Sequence, residues 1–149
     1  MTFARELHAK YSAMEGSAQI ALIYSLEQLD ALLKLYRPTH ILELGGGIGT
    51  ISELLLLKSD AKIEVVENND FCIEKMVKNL SHLREYELIV DYKFLSSGSQ
   101  ADMLIVDVNN GIFNISKLKQ RSIGTTQKNS PEIFFIANLI ADPNPSLFF

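Results

Sequence analysis

Apolar residues recur along the chain in two different periods, which together predict an alternation of helices and strands. Near the N-terminus, a spacing of three to four residues predicts a helix over residues 2–15 and a broader apolar helix over residues 18–36. Gly16 and Ser17 separate the two, since Gly16 can end the first helix and Ser17 can cap the second. Pro38 prevents the second helix from continuing. We therefore expect two helices before the first strand.

The apolar runs that follow are short and rich in β-branched residues, and turns or helical stretches separate them. They predict five strands, with helices at residues 51–57 and 71–83 after the first and second strands and a short helix at residues 114–122 before the last. The predicted strands lie within residues 40–44, 61–67, 86–95, 101–107 and 133–138. This alternation predicts a three-layer α/β sandwich whose mostly parallel sheet has the strand order 3-2-1-4-5.

The first predicted strand runs directly into a glycine-rich turn and then into a helix, over residues 40–57. Four of the five residues from Gly45 to Gly49 lack a Cβ atom, so the backbone can take positive φ and approach a ligand closely. The amides that open the next helix point at whatever lies above the turn. Thr50 replaces the third glycine of the dinucleotide motif G-x-G-x-x-G, and the lysine of a phosphate-binding P-loop is missing. The turn therefore predicts a ligand site of another kind.

Length and composition limit the class of protein. The 149 residues predict a single domain, with N-terminal helices over residues 1–36 and a sheet core over residues 39–142. A net charge of -4 argues against general nucleic-acid binding, which needs a basic face. The lone Cys72 cannot form an internal disulfide, and no apolar run reaches about 18 residues. We therefore expect a cytoplasmic protein with no membrane span and no nucleic-acid partner.

The glycine stretch carries a specific resemblance. Residues 41–49, I-L-E-L-G-G-G-I-G, resemble motif I of the class I S-adenosylmethionine-dependent methyltransferases. The preceding segment, L-Y-R-P at residues 35–38, is similar to the Leu-x-Arg-Pro that precedes motif I in catechol-type O-methyltransferases. The resemblance extends over roughly residues 15–142 and implies a Rossmann-like fold. It does not include the helix and antiparallel hairpin with which full-length methyltransferases continue, and we expect the hairpin to be absent from the chain.

The same resemblance implies roles for the residues of the turn. In that family the acid at the position of Glu43 helps to orient the amino end of the ligand. The glycines pack beneath the methionine and ribose parts of S-adenosylmethionine, and here they are Gly45, Gly46, Gly47 and Gly49. A glycine-rich turn in some other α/β protein is the alternative explanation.

Acidic and amide residues follow the second predicted strand. Glu67 lies about 20 residues past the glycine turn, where an acid binds ribose hydroxyls in this kind of fold. A carboxylate offers two acceptor oxygens to the two hydroxyls, although an exposed acid at a strand end would need no ligand. Asn68 is expected on the adenine side. Asp70 is expected to cap the next helix.

The end of the third strand is ambiguous. If the strand stops at Val90, Asp91 matches the acid that accepts a hydrogen bond from the adenine amino group in many methyltransferases. If it continues to Leu95, the matching position falls within residues 96–98. We prefer Asp91. In either case few residues separate this strand from the next, so the helix that usually connects them is missing or shortened.

Asp107 ends the fourth predicted strand, beside the switch point where ligands bind in such sheets. In catechol-type enzymes the matching aspartate binds a divalent metal, which would lower the pKa of a substrate hydroxyl. The second pair of metal ligands there is Asp-Asn, whereas this chain has Asp142 and Asn144 with Pro143 between them. We therefore assign no metal ligand, although a divalent metal is possible. Asp107 is our candidate catalytic residue.

The resemblance implies a small methyltransferase that moves the methyl group of S-adenosylmethionine to an oxygen of a small-molecule acceptor. The alternative is a ligand-binding or protein-interaction module that kept the fold and lost the chemistry. Because the fifth strand would leave an apolar sheet edge, either a second copy of the chain or the tail at Phe148 and Phe149 is expected to cover it. A homodimer is therefore our hypothesis for the assembly.

Overall fold

A computed structural model describes residues 1–91 and 101–107 of the chain, and the backbone of residues 132–134. Helices and strands alternate after two N-terminal helices, as the apolar pattern predicts. None of the helices in this described part has the length and hydropathy that a transmembrane helix requires. The elements in chain order are α1 (Phe3–Ser12), α2 (Ile23–Tyr36), β1 (His40–Leu44), α3 (Thr50–Lys58), β2 (Lys62–Val66), α4 (Asp70–Asn79), β3 (Glu87–Ile89), β4 (Met103–Val106) and β5 (Glu132–Phe134).

The five strands form one sheet with the order β3-β2-β1-β4-β5, and all four neighbouring pairs are parallel. The predicted α/β class, strand order and strand direction are therefore confirmed. β1 lies at the centre, where Glu43 is in register with Val65 of β2 and with Ile105 of β4. The carboxyl ends of β2, β1 and β4 consequently meet at one edge of the sheet, and this edge carries the glycine turn.

The described helices cover one face of the sheet. Buried side chains of α1, α2, α3 and α4 pack together with every second residue of β1, β2 and β4, such as Ile41, Val65 and Ile105. The alternate residues of the same strands point to the other face and form a separate buried cluster that includes Leu42, Leu44, Val66 and Val106. This division follows from the period of two in a strand. The predicted third layer, over this second cluster, is not among the described residues.

The helix α1 is fixed to α3 by a buried polar contact. The Tyr11 hydroxyl donates to Glu53 Oε2 at 2.6 Å, and Lys10 Nζ donates to both Glu53 oxygens at 2.8 Å. Glu53 is almost fully buried, so its charge needs these partners. Burial, reinforced by the hydrogen bond and the negative charge of Glu53, raises the pKa of Tyr11 far above its usual value. The N-terminal helix is therefore joined to the helix that follows the glycine turn.

The joint between α1 and α2 differs from the expectation. The helix α1 ends at Ser12 with Ala13 as its C-cap, so Gly16 does not end it and the predicted extent to residue 15 is too long. Gly16 has a φ of 90° and lies at the N-cap position of a 3-10 turn over Ser17–Gln19. The helix α2 begins only at Ile23, and Leu22 at its N-cap position makes no side-chain cap hydrogen bond. Ser17 therefore does not cap α2. Residues 20–22 separate the 3-10 turn from the helix start, and the backbone of both Ile20 and Leu22 is extended.

The helix α4 also differs at both ends. Its N-cap is Asn69, whose side-chain oxygen accepts from the Cys72 N–H at 3.0 Å, whereas Asp70 is the first helical residue. Both side chains suit a helix start, and the extended backbone of Asn69 decides between them. The helix ends at Asn79 rather than at residue 83.

Several expectations fall on residues beyond the described ranges. They include the helix at residues 114–122, the shortened connection at residues 96–100 and the absence of a hairpin after β5. Phe148 and Phe149, the tail expected to cover the sheet edge at β5, also lie outside. The homodimer accordingly stays a prediction.

Candidate functional site

The glycine turn between β1 and α3 has the positive-φ backbone that its composition predicts. Gly45, Gly47 and Gly49 have φ values of 90°, 53° and 103°, and Gly49 occupies the N-cap position of α3. Gly46 is required for a different reason: a Cβ atom there would lie 2.5 Å from Val65 Cγ1 and 2.9 Å from Met76 Sδ. The turn is therefore pressed against the sheet and α4, and it has room only for glycine at this position.

Hydrogen bonds hold the turn on neighbouring elements. The N–H groups of Gly45 and Gly46 both donate to the Val66 carbonyl, at 2.8 and 3.2 Å, which joins the turn to the end of β2. The Asn79 side-chain amide donates to the Ile48 carbonyl at 2.9 Å and so fixes the outer part of the turn to α4. The turn is thus preorganised by groups far away in the sequence.

Glu67, the acid predicted to bind ribose, is directed at the glycine turn. Its Oε2 accepts from the Gly47 N–H at 2.7 Å, and its Oε1 accepts from the N–H groups of Asn68 and Asn69, both at 2.9 Å. Three backbone donors therefore fix the carboxylate above the turn. Because each carboxylate oxygen has two lone-pair directions, Oε1 is fully used and Oε2 can still accept one hydrogen bond from a ligand hydroxyl.

Glu43 lies at the floor of the site, with none of its surface exposed. The Ser52 hydroxyl of α3 donates to its Oε2 at 2.6 Å, while its Oε1 has no hydrogen-bond partner among the described residues. Burial raises the pKa of Glu43 to about 8, the Ser52 hydrogen bond opposes this shift, and the charges of Asp107 and Glu67 add to it. Near neutral pH a large part of this carboxyl group is therefore protonated.

Asp107 follows β4 directly. Its backbone N–H donates to the Leu44 carbonyl at 2.8 Å, so the residue extends the pairing of β4 with β1. Its Oδ1 is buried and has no partner within the described part of the chain. Burial, followed by the negative charge of Glu67, raises the pKa of Asp107 to about 7. A carboxyl group in this state can accept or release a proton near neutral pH.

The three acids belong to one face of the sheet. Val65 and Ile105 belong to the helix-side cluster, and Glu67 and Asp107 follow them by two residues on their strands. Glu43 alternates with Leu42 and Leu44 of the opposite cluster, so its side chain also points to the helix side. The charges of Asp107 and Glu67 both raise the pKa of Glu43, and the charge of Glu67 raises the pKa of Asp107, in agreement with this proximity. The fold thus brings together a carboxyl group from each of three adjacent strands.

The two other predicted site residues, Asn68 and Asp91, make fewer contacts with the glycine turn through their side chains. Asn68 contributes its backbone N–H to Glu67, but the residue itself is exposed. Asp91 is half-buried and follows β3, which ends at Ile89, so the strand ends near the earlier of the two expected positions. Residues 96–98, the alternative for the adenine contact, lie outside the described ranges.

Three residues of the site were missed by sequence reasoning. Ser52 holds Glu43, Asn79 holds the turn, and Thr50 places a buried hydroxyl oxygen without a described partner at the start of α3. Ser52 carried one signal, as a small polar residue inside a helix that is otherwise mostly apolar. Asn79 carried none, because its partner Ile48 lies 31 residues away.

In the described ranges no group of three or more His, Cys, Asp or Glu side chains could hold a metal ion. Asp107 therefore does not belong to a group of potential metal ligands among the described residues. Asp142 and Asn144, the other residues considered for a metal, lie beyond those ranges.

Comparison with known proteins establishes the fold. No protein-family model and no curated protein matches the sequence. Among solved structures, the chain is similar to the SAH-bound methyltransferase PaMTH1 of Podospora anserina, with 16% identity over 73% of this chain and 51% of that one, and a TM-score of 0.60. It is also similar to the O-methyltransferase TomG of Streptomyces achromogenes, solved in complex with SAM, with 20% identity over 80% of this chain and 56% of that one, and a TM-score of 0.58.

A third similar structure is the tRNA methyltransferase TrmI of Aquifex aeolicus, with 20% identity over 72% of this chain and 44% of that one, and a TM-score of 0.57. The chain thus spans about half the length of the solved structures it matches. At these identities the likeness shows that the chain has the Rossmann-like fold found in methyltransferases. Because these structures include an O-methyltransferase and a tRNA methyltransferase, the fold does not select an acceptor.

Proposed function

We propose that this chain binds S-adenosylmethionine and transfers its methyl group to an oxygen of a small-molecule acceptor. The observation that carries the proposal is the contact between Glu67 and Gly47. It places a carboxylate directly beside the backbone of a glycine turn, at the carboxyl edge of a parallel sheet. The methyltransferase fold of the chain and the motif I resemblance of residues 41–49 both support this interpretation.

The residues present fit such a ligand. Glu67 Oε2 can accept a hydrogen bond from a ribose hydroxyl while the backbone amides hold the carboxylate in place. The glycine turn lets the backbone approach closely, and the helix α3 directs its first N–H groups towards the site. Glu43 Oε1 and Asp107 Oδ1 are buried acceptors whose described surroundings offer no partner, which suits a ligand that carries positive charge.

When bound, S-adenosylmethionine supplies an electrophilic methyl group on a sulfonium centre. The task of the protein is then to hold the reacting oxygen in line with that group and to exclude water, so catalysis depends on proximity and orientation. Asp107 lies at the switch point between β1 and β4 and is our candidate for contact with the acceptor. With a pKa near neutral, its carboxyl group can receive the proton that an acceptor hydroxyl loses.

Three observations favour a small oxygen acceptor. The segment before β1 is similar to that of catechol-type enzymes, and one of the similar structures is named an O-methyltransferase. The net charge of -4 is unfavourable for binding the RNA backbone. A tRNA acceptor, as the name of another similar structure states for that protein, is therefore an outcome to be tested rather than our proposal.

The binding test uses calorimetry of the purified protein with S-adenosylmethionine and S-adenosylhomocysteine. We expect micromolar affinity, and we expect Glu67→Gln to weaken binding roughly 10- to 100-fold, since hydrogen bonds to a charged acceptor are lost. Glu87→Gln is the matched control, because Glu87 is an exposed acid on the neighbouring β3. Absence of binding to both ligands would contradict the proposal.

The turnover test measures methyl transfer to catechol and to tRNA, each with and without magnesium. We expect methylated catechol, and we expect Asp107→Ala to abolish its formation while the protein remains folded. Methylation of tRNA alone would overturn the acceptor class. Ligand binding without any turnover would instead indicate a module that retains the fold and the ligand but not the chemistry.

A further inference from the structure

Ser52 lies in the first turn of α3, and the residue is fully buried. A serine in a helix can donate its hydroxyl group back to the carbonyl four residues earlier. Ser12 and Ser59 do so, with donor–acceptor distances of 2.7 and 2.8 Å. The Ser52 hydroxyl instead donates out of its helix to β1, where it meets Glu43 Oε2 at 2.6 Å. Its direction is therefore set by the sheet and not by its own helix.

The carbonyl four residues before Ser52 has another partner. It belongs to Ile48, and it accepts from the Asn79 side-chain amide of α4 at 2.9 Å. Met76 Sδ, also of α4, lies 3.8 Å from the Ser52 hydroxyl, but a thioether sulfur is only a weak acceptor. The Glu43 carboxyl group is thus the strong acceptor to which the hydroxyl is directed.

This hydrogen bond fixes the orientation of a carboxyl group that no solvent reaches. Glu43 has none of its surface exposed. The terminal torsion of a glutamate is broad and roughly two-fold, so an unheld carboxyl group can present either oxygen. With Oε2 held by Ser52, Oε1 is the oxygen left buried without a partner in the part of the chain that the structure describes. Buried polar atoms usually have a partner, so Oε1 is available to a ligand group.

The same hydroxyl group is packed against the support of the glycine turn. Met76 is fully buried, and its Sδ would lie 2.9 Å from a Cβ atom on Gly46. Ser52 therefore lies between the Glu43 carboxyl group on one side and the methionine beneath the turn on the other. A change at this position would act on the acid without removing any group from the turn itself.

Stability alone does not account for a buried pair of this kind. Serine has a lower helix propensity than alanine, and a buried hydroxyl group and a buried carboxyl group must both be removed from water. Replacing buried polar partners with apolar groups of similar shape is often neutral or stabilising. The pair of Ser52 and Glu43 is therefore better explained by what it does for the site.

We propose that Ser52 is a positioning residue of the ligand site, whose hydroxyl group holds Glu43 Oε2 so that Glu43 Oε1 is presented to the bound ligand. This inference rests on the function proposed above. It adds a residue that acts only through Glu43 and needs no contact with the ligand. S-adenosylmethionine and S-adenosylhomocysteine carry the same N–H and O–H donors, so the effect is expected to be equal for both.

The test is a double-mutant cycle measured by calorimetric titration with S-adenosylmethionine and with S-adenosylhomocysteine. Ser52→Ala removes the donor, and we expect the affinity for both ligands to fall roughly 3- to 10-fold. Glu43→Met fills a similar space without a hydrogen-bonding oxygen and should weaken both affinities at least as much. In this background Ser52→Ala should change neither affinity further. An effect of equal size in both backgrounds would show that Ser52 does not act through Glu43.

Further variants separate positioning from a general contribution to the fold. Ser52→Thr keeps the hydroxyl group and should bind both ligands almost as the wild type does, even if its extra methyl group lowers stability. Ser81→Ala removes an exposed hydroxyl group, which donates to the Lys78 carbonyl, and should change neither affinity. Should Ser52→Ala fail to fold, Ser52→Cys takes its place, because a thiol of similar size is a weaker donor and affinity should again fall.

The outcomes separate this inference from the proposed function. Wild-type affinity in Ser52→Ala overturns the inference and leaves the proposed function standing, even if urea denaturation shows a loss of stability. A loss of affinity that Ser52→Thr does not restore also overturns it, because the hydroxyl group would then not be the cause. Failure of the wild type to bind either ligand overturns the proposed function, and the inference falls with it.

Discussion

The Glu67 carboxylate accepts a hydrogen bond from the backbone N–H of Gly47 at 2.7 Å, across 20 residues of sequence. This contact joins the end of β2 to the middle of the glycine turn that follows β1. The same carboxylate also accepts hydrogen bonds from the backbone N–H groups of the next two residues, Asn68 and Asn69. One side chain therefore shapes both the turn and the entry into α4, before any ligand is considered.

Replacing this carboxylate should loosen the turn. In Glu67→Ala the N–H groups of Gly47, Asn68 and Asn69 lose their acceptor, and hydrogen bonds to a charged group contribute about 1.5–3 kcal/mol. We expect the exchange of these amides with deuterium to accelerate by roughly 10- to 100-fold. The Gly45 and Gly46 amides donate to the Val66 carbonyl instead and should change much less. Uniform acceleration over the whole turn would show that Glu67 supports the fold in general rather than these amides.

Replacing either of two glycines in the turn with alanine should destabilise the protein, but for different reasons. Gly46→Ala places a Cβ atom against Val65 and Met76, and we expect a loss of about 1–3 kcal/mol in the free energy of unfolding. Gly47→Ala meets no atom within 4 Å but imposes a positive φ on alanine, at a cost of about 1–2 kcal/mol. Urea denaturation measures both.

A second substitution distinguishes the two causes. In a Val65→Ala background, the closer of the two contacts that oppose a Cβ atom at position 46 is removed while the one with Met76 remains, so Gly46→Ala should cost less than in the wild type. The cost of Gly47→Ala should be the same in both backgrounds, since it arises from the backbone alone. Equal costs for Gly46→Ala in the two backgrounds would show that the close approach to Val65 does not limit this position.

The contact between α1 and α3 should contribute measurably to stability. Tyr11→Phe removes a donor at 2.6 Å from the buried Glu53, and we expect the free energy of unfolding to fall by about 1–3 kcal/mol. Lys10→Met removes the other partner, whose own side chain is 40% exposed, and should cost less. Urea denaturation of both single variants and of the double variant gives the coupling between them. Strictly additive effects would show that Tyr11 and Lys10 stabilise Glu53 independently.

The stability of the ligand-free protein should fall as the pH rises. The folded pKa values of Glu43 and Asp107, about 8 and about 7, lie above their unfolded values near 4. Between these limits the folded state binds more protons than the unfolded state, so the free energy of unfolding decreases with increasing pH, by up to about 1.4 kcal/mol per pH unit for each titrating group. Below about pH 4 both states are protonated and this dependence ends.

Thermal denaturation between pH 5 and pH 8 checks this sign. Asp107→Asn should melt at a higher temperature than the wild type at pH 8, with a smaller difference at pH 5, because the amide has no charge to bury. A wild type that becomes more stable from pH 5 to pH 8, with no gain from Asp107→Asn, would contradict the assignment. If the expected result is found, the buried acids of the candidate site lower the free energy of unfolding of the ligand-free protein, as is common for groups that serve binding.

The sequence by itself determined the α/β class, the strand order and the position of the glycine turn. The class and the turn depend on local properties, since the period of apolar residues distinguishes strands from helices and glycine takes the φ values of the turn without strain. The strand order depends in addition on the topology rules of parallel sheets. The placement of acids at the ends of β2 and β4 was also predictable, since each of them directly follows an apolar run. Asp107 and Glu67 were found in this way.

Only the tertiary structure decided how those acids behave. The partners of Glu43, Glu67 and Glu53 lie 9, 20 and 42 residues away, and no local pattern links them. The choice of Asn69 over Asp70 as a cap was likewise made by the backbone, because both side chains suit the position. A carboxyl group has nearly the same pKa in every extended chain, and it acquires a value near neutrality only when folding removes water and brings other charges close. The sequence therefore located the candidate site, and the fold set its charge.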